Sequence, residues 1–135
     1  MPKVFIAVLC DDVRHEFNNK FSLMGIFSRW NVVDFTKPLP PFHVFARIGF
    51  EAEGDHPIEV ELRTAEGERR FLMQGVAHLE GKDEVTDLYL TNIEFKLENL
   101  MIPRPGNYEF AIRSGGELAV IIPFQAAVAK RPLVQ

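Results

Sequence analysis

The sequence predicts an all-β protein, a single-domain antiparallel β-sandwich of about eight strands. Apolar and polar residues alternate along most of the chain, which is typical of strands with one buried face. Short segments rich in Gly, Pro, Asp and Asn separate these runs at regular intervals. No amphipathic segment of ten or more residues has helical spacing, so two stacked sheets are favoured. A closed barrel is the alternative that the same strand signals allow.

The N-terminal third contains three predicted strands. The run KVFIAVLC (3–10) is apolar on both faces, which predicts that it is covered on both sides. The run KFSLMGIFSRWNVV (20–33) changes parity midway, so we expect a bulge near Ser28 or Arg29. The run FHVFARIGF (42–50) alternates cleanly and is predicted to be half-buried.

The middle third contains three more runs. PIEVELRT (57–64) and RFLMQGVAHL (70–79) alternate, and the second places Phe71 on the core face. VTDLYLTNIEFKLENL (85–100) changes parity near residues 91–92. A bulge or a change of sheet at that point would account for the shift.

The last two predicted strands, YEFAI (108–112) and LAVIIPF (118–124), form a hairpin through the turn SGGE. Pro123 cannot donate a backbone hydrogen bond, so the last strand is predicted at a sheet edge or with this position facing solvent. We assign residues 1–128 to the sandwich domain and residues 129–135 to a C-terminal tail.

Composition and charge exclude several classes of function. The 135 residues carry 19 acidic and 15 basic side chains, a net charge of -4, without long blocks of one sign. This charge gives no attraction to nucleic acid or to anionic membranes. With Cys10 as the single cysteine, an internal disulfide and a cysteine zinc cluster are both excluded. Cys10 itself is predicted to be a buried thiol.

The N-terminal apolar run lacks the cleavage site of a signal peptide. No segment approaches the roughly 20 apolar residues that span a bilayer. We therefore expect a soluble, cytoplasmic protein.

A dense polar segment, DDVRHEFNNK (11–20), interrupts the apolar N-terminal region. Its structural interpretation is one helical turn capped by Asp11 or Asp12, with Phe17 closing the end of the sandwich. The two asparagines would then form a left-handed turn into the next strand.

The functional interpretation makes this segment a recognition surface, because loops at the end of a rigid sandwich often carry binding residues. The candidate binding residues are Asp11, Asp12, Arg14, His15, Glu16 and Lys20.

A metal site is a third interpretation of the same segment. Asp11 and His15, or Asp12 and Glu16, have i, i+4 spacing. Additional oxygen ligands would have to come from other loops, and the obvious sources are Asp34, Asp55, Asp83 and Glu84. The spacing matches no calcium loop, so we predict no metal and no cofactor.

Catalytic patterns are weak. The serines lack a nucleophile motif. His43 and His78 fall on the polar faces of their strands, so we expect exposed histidines rather than bases or ligands. Trp30 is interpreted as a core residue. We predict no catalytic residues.

Four segments carry a family resemblance: FIAVLCDDV, KFSLMGIF, PPFHVFARI and PGNYEFAI followed by GGELAVIIPF. Together they resemble a family of small uncharacterised bacterial proteins over nearly the whole chain. The closing hairpin is also similar to the last two strands of immunoglobulin-like domains. The resemblance implies a bacterial cytosolic sandwich with an immunoglobulin-like fold. It implies no activity and no site residues.

The preferred functional hypothesis is a non-enzymatic protein-binding or self-associating module. An open sandwich has unpaired backbone groups at its sheet edges, which can pair with another chain, and a homodimer would do so symmetrically. The alternative is a metal-dependent small-ligand binder or an enzyme that uses Asp11, Asp12, His15 and Glu16.

Overall fold

The computed structural model describes residues 2–129. Within this range the chain forms nine strands and one short 3-10 turn, Phe17–Asn19. The strands are β1 (Lys3–His15), β2 (Phe21–Phe27), β3 (Arg29–Val32), β4 (Phe42–Phe50), β5 (Gly54–Thr64), β6 (Arg69–Leu79), β7 (Tyr89–Leu97), β8 (Gly106–Ser114) and β9 (Glu117–Val128). None of the described residues belongs to a helix long and apolar enough to span a membrane.

The strands form two packed sheets. One has four strands in the order β2-β1-β4-β7, and the other has five in the order β3-β9-β8-β5-β6. The predicted all-β sandwich is therefore confirmed, and the closed-barrel alternative is wrong. Two details differ from the prediction: there are nine strands rather than eight, and β3 runs parallel to β9.

Aromatic side chains fill the space between the sheets. Phe42 is fully buried at the centre. The rings of Phe27, Phe110 and Phe124 surround it, with centroids 5.5 to 6.3 Å from its own. Trp30 is partly buried against this core, and its ring centroid lies 4.8 Å from that of Phe27. Its interpretation as a core residue is therefore confirmed.

The parity change in the second predicted run is a change of sheet. Strand β2 pairs with β1 in the four-stranded sheet, whereas β3 pairs with β9 in the five-stranded sheet. Ser28 lies at the crossing, where its carbonyl accepts a hydrogen bond from the Gln125 amide at 2.9 Å. The predicted position of the parity change, near Ser28 or Arg29, is therefore correct, but its cause is a change of sheet and not a bulge.

The break predicted near residues 91–92 is wrong. Strand β7 pairs with β4 in one unbroken register, from Tyr89 opposite Phe50 to Leu97 opposite Phe42. Leu88, just before β7, has the parity opposite to that of the core residues Ile93 and Leu97, because its side chain packs on the outer face of the sheet over Gly49. An ideal Cβ on Gly49 would lie 2.8 Å from Leu88 Cδ1.

The prediction that Phe71 faces the core is also wrong. Strand β6 has one extra residue, Leu72, between the pairs Val60–Met73 and Glu61–Phe71. This bulge turns Phe71 to the outer face, where 60% of it is exposed.

Pro123 lies in β9, which is flanked by β8 and β3 and is not an edge strand. The pairing of β9 with β3 begins at Gln125, so Pro123 precedes it and is exposed. The alternative that this position faces solvent is confirmed. Of the predicted tail, only Ala129 lies within the described residues, and its amide donates to the Val32 carbonyl at 2.9 Å.

Candidate functional site

The polar segment forms the end of the β1–β2 hairpin. The predicted helical turn is wrong, because β1 continues as a strand to His15. The predicted left-handed turn is confirmed, since Asn18 and Asn19 have φ angles of 61° and 59°. Phe17 does not close the sandwich end, as 85% of it is exposed.

A kink makes the hairpin change faces. Leu9 and Val13 have the same parity in β1, yet Leu9 belongs to the core between the sheets and Val13 packs on the opposite face. In β2, Phe27 likewise packs against the core between the sheets, whereas Leu23, with the same parity, packs on the opposite face. The change occurs where Gly25 adopts a φ of +68°, a conformation that few residues other than glycine adopt readily.

Beyond the kink the hairpin lies over the outer face of the four-stranded sheet. It buries an outer-face cluster of Cys10, Val13 and Phe45, with Ile6, Val8, Phe21 and Leu23 partly buried around them. The Phe21 and Phe45 ring centroids are 5.5 Å apart. His15 Nε2 lies 2.8 Å from Glu94 Oε2 on β7. The hairpin thus covers the second apolar face of β1, as the sequence predicts.

His43 corrects the expectation of an exposed histidine. Its side chain is only 12% exposed, and Nε2 lies 3.9 Å from Asp12 Oδ1. Its buried Nδ1 has no hydrogen-bond partner among residues 2–129. His78, in contrast, is exposed as predicted and pairs with Asp55.

The six candidate residues are all exposed, but they do not converge. Asp12 Oδ2 lies 3.7 Å from Arg14 Nε, and His15 contacts Glu94. Glu16 and Lys20 are joined by a backbone hydrogen bond of 2.8 Å across the turn. Their positions along the hairpin give separate local contacts rather than one polar site.

Metal-binding geometry is not formed by the candidate acids. Within residues 2–129, no three Asp, Glu, His or Cys side chains come together as a metal site would require. Hydrogen bonds from Thr36 lower the pKa of Asp34, and hydrogen bonds from Thr86 lower the pKa of Asp83. These two carboxylates are therefore engaged by their own loops.

Cys10 is fully buried, which confirms the predicted buried thiol. Burial raises the pKa of its thiol, and the negative charges of Asp11, Asp12 and Glu94 raise it further. The thiol is therefore protonated at neutral pH and is shielded from reagents.

The turn of the hairpin and the sheet beneath it border an open cleft of about 390 Å³. It is lined by Ile6, Asn19, Lys20, Phe21, Leu23, Phe45 and Arg47. Of the six predicted residues, only Lys20 lines it. Sequence reasoning missed the rest, although the outward parity of Phe45 and Arg47, beside a strand apolar on both faces, was a usable signal.

The sheet edges are the second candidate surface. Among the described strands, β2 and β7 are the edges of one sheet and β3 and β6 those of the other. Strand β6 is the longest of the four, with 11 residues. Its segment Met73–Leu79 contains no Asp, Glu, Lys, Arg or Pro.

These features define a two-sheet β-sandwich whose smaller sheet is covered on its outer face by its own hairpin. The model of a family of unknown function (DUF6941) matches residues 5–127, so the chain belongs to this family. The predicted resemblance to a family of uncharacterised proteins is thereby confirmed.

Among solved structures, the chain is similar to Pseudomonas fluorescens alkylpurine DNA glycosylase AlkC bound to DNA containing an abasic site analog. The two share 8% sequence identity with a TM-score of 0.49. The match covers 94% of this chain but 30% of the glycosylase chain. No curated protein gives a significant match.

Proposed function

We propose that this protein is a non-enzymatic, self-associating module that forms a homodimer through the edge strand β6. The observation that carries the proposal is the segment Met73–Leu79, which contains no Asp, Glu, Lys, Arg or Pro. Edge strands have unpaired N–H and C=O groups, and monomeric proteins protect them with charges, prolines, bulges or short length. Over this segment β6 has none of these protections.

The other three edges are protected. Strand β2 is kinked at Gly25, strand β3 has four residues, and strand β7 has Glu94 and Lys96 on its outer face. By comparison, β6 pairs with β5 in an unbroken register from Met73 to Leu79. A regular backbone of seven residues is long enough for typical strand pairing.

The segment also suits pairing with a second copy of itself. A two-fold axis at Val76 would place two copies of this half-exposed valine side by side on the outer face. Like charges directly opposite each other destabilise a sheet, and none would face each other across this antiparallel pair. A symmetric contact of this kind closes as a dimer.

We further infer an immunoglobulin-like connectivity. The orders β1-β4-β7 and β9-β8-β5-β6 correspond to strands A-B-E and G-F-C-C′ of such domains. Near the start of β8, the Tyr108 hydroxyl donates to the Arg104 carbonyl at 2.7 Å, which resembles the tyrosine corner of that fold.

Binding rather than catalysis is supported by the separation of the candidate acids and by the protonated, buried state of Cys10. The metal-dependent alternative would need at least three of these side chains around one ion. A bacterial, cytoplasmic location remains part of the proposal, and an unpaired Cys10 is compatible with a reducing compartment.

Light scattering after size-exclusion chromatography tests the proposal. The wild type should show twice the chain mass of 15.4 kDa at high concentration and dissociate on dilution. Val76→Lys should give the monomer mass, because each copy would then place a lysine at the two-fold axis. Val85→Lys is the matched control, since Val85 is 93% exposed in the loop before β7, and it should behave as the wild type.

A wild type that stays monomeric from micromolar to millimolar concentration would overturn the proposal. So would a Val76→Lys variant that dimerises as well as the Val85→Lys control.

A further inference from the structure

The cleft beneath the β1–β2 hairpin combines an apolar floor with two cationic side chains. Ile6, Phe21 and Leu23 supply apolar surface, and Lys20 and Arg47 supply the positive charge. Its volume of about 390 Å³ lies within the range of small-molecule sites, which are mainly apolar with a few polar groups that fix orientation.

Among the described residues neither cation forms an ion pair, and Arg47 interacts with Asp83 only through a longer-range charge effect that helps to lower the pKa of Asp83. Within residues 2–129, no carboxylate lies within ion-pair distance of Lys20 Nζ or of the Arg47 guanidinium. The acids nearest this face have other partners, since Glu94 contacts His15 and Asp83 accepts hydrogen bonds from Thr86.

The geometry of Arg47 favours a carboxylate. Its Nε donates to Asn92 Oδ1 at 2.9 Å, which fixes the guanidinium plane and leaves the two Nη groups as the remaining donors. A pair of parallel N–H groups matches the two oxygens of a carboxylate. Lys20 and the side-chain amide of Asn19, which also line the cleft, add further donors.

We propose that this cleft binds an amphipathic monocarboxylate, such as a medium-chain fatty acid. The carboxylate contacts Arg47 and Lys20, and the hydrocarbon chain packs on Phe21 and Leu23. The net charge of -4 gives no general attraction for anions, so the specificity resides in these two cations. This site lies on the outer face of the four-stranded sheet and does not depend on the β6 edge.

Titration with octanoate, followed by amide NMR shifts, tests the proposal. We expect saturable shifts confined to residues 19–23, residues 45–47 and the neighbouring part of β1. Octan-1-ol has the same chain length without the charge, and acetate has the charge without the chain. Each should bind at least about tenfold more weakly, because each lacks one of the two contacts.

Variants assign the contacts. Arg47→Gln and Lys20→Met should each weaken octanoate binding about tenfold. Arg47→Gln also removes the Arg47–Asn92 contact and can loosen the sheet. Lys20→Met does not have this effect, because Lys20 is exposed at the turn. Lys37→Met, in the exposed loop between β3 and β4, is the matched control and should bind as the wild type.

The Val76→Lys variant should also bind octanoate as the wild type, which separates this proposal from dimerisation through β6. The proposal fails if octanoate gives no saturable shifts or shifts residues elsewhere. It fails equally if octan-1-ol binds as tightly as octanoate, or if Lys20→Met and Lys37→Met have the same effect.

Discussion

Replacement of Phe45 by alanine tests whether the hairpin truly covers the four-stranded sheet. Phe45 points away from the core between the sheets, yet it is only 3% exposed because Phe21 and its neighbours lie over it. Truncation of a buried phenylalanine removes its transfer free energy and leaves a cavity. We therefore expect Phe45→Ala to lower the free energy of unfolding by about 3–5 kcal/mol, a large share of the 5–15 kcal/mol typical of a domain.

Phe71→Ala is the matched control, because Phe71 also lies on an outer face but has no cover. Its replacement should change the free energy of unfolding by no more than about 0.5 kcal/mol. Urea unfolding followed by the fluorescence of Trp30, the single tryptophan, measures both variants. A loss below about 1 kcal/mol for Phe45→Ala, or an equal loss for Phe71→Ala, would show that the hairpin does not cover Phe45.

Two further predictions concern the kink and a charge network. Gly25→Ala should destabilise the fold more than Gly67→Ala in urea unfolding. Both glycines have a positive φ, but only at Gly25 would the added Cβ collide with another residue, because it would lie 2.7 Å from the carboxylate carbon of Asp11 in β1. Equal losses would contradict this. Burial alone would raise the pKa of Glu61, but hydrogen bonds from Arg63 and Arg113, at 2.9 and 3.3 Å, lower it below its usual range. The wild type should therefore exceed Glu61→Gln in stability by about 1–2 kcal/mol at neutral pH. This advantage is complete above the unfolded-state pKa of about 4.3 and is lost as pH falls through the lower folded-state pKa; a difference independent of pH would contradict it.

Much of the sandwich was predictable because strand periodicity depends on local sequence. Strand β5 alternates Ile58, Val60 and Leu62 inward, and all three are buried. The exceptions arose where a contact distant in sequence changes which face a residue occupies. The parity change in the run 85–100 suggested a break in β7, because the sequence does not show that Gly49 leaves space for Leu88 outside the sheet. The displacement of Phe71 depends on one extra residue in β6 relative to β5.

The candidate site was less predictable for the same reason. The polar segment correctly indicated an exposed hairpin end and included Lys20. Its partners in the cleft, Phe45 and Arg47, come from β4, more than twenty residues further along the chain. They meet Lys20 only because the kink at Gly25 bends the hairpin over the sheet, and no local pattern specifies the direction of that bend.

Contacts between the aromatic rings of Phe21 and Phe45 test the folded-over hairpin most directly, since both the covered face and the cleft depend on it. In a NOESY spectrum of the wild-type protein, we predict cross-peaks between the ring protons of these two residues, whose centroids lie 5.5 Å apart. Cross-peaks between His15 and Phe21 within the hairpin, without any between Phe21 and Phe45, would show that the hairpin extends away from the sheet and would contradict the folded-over arrangement.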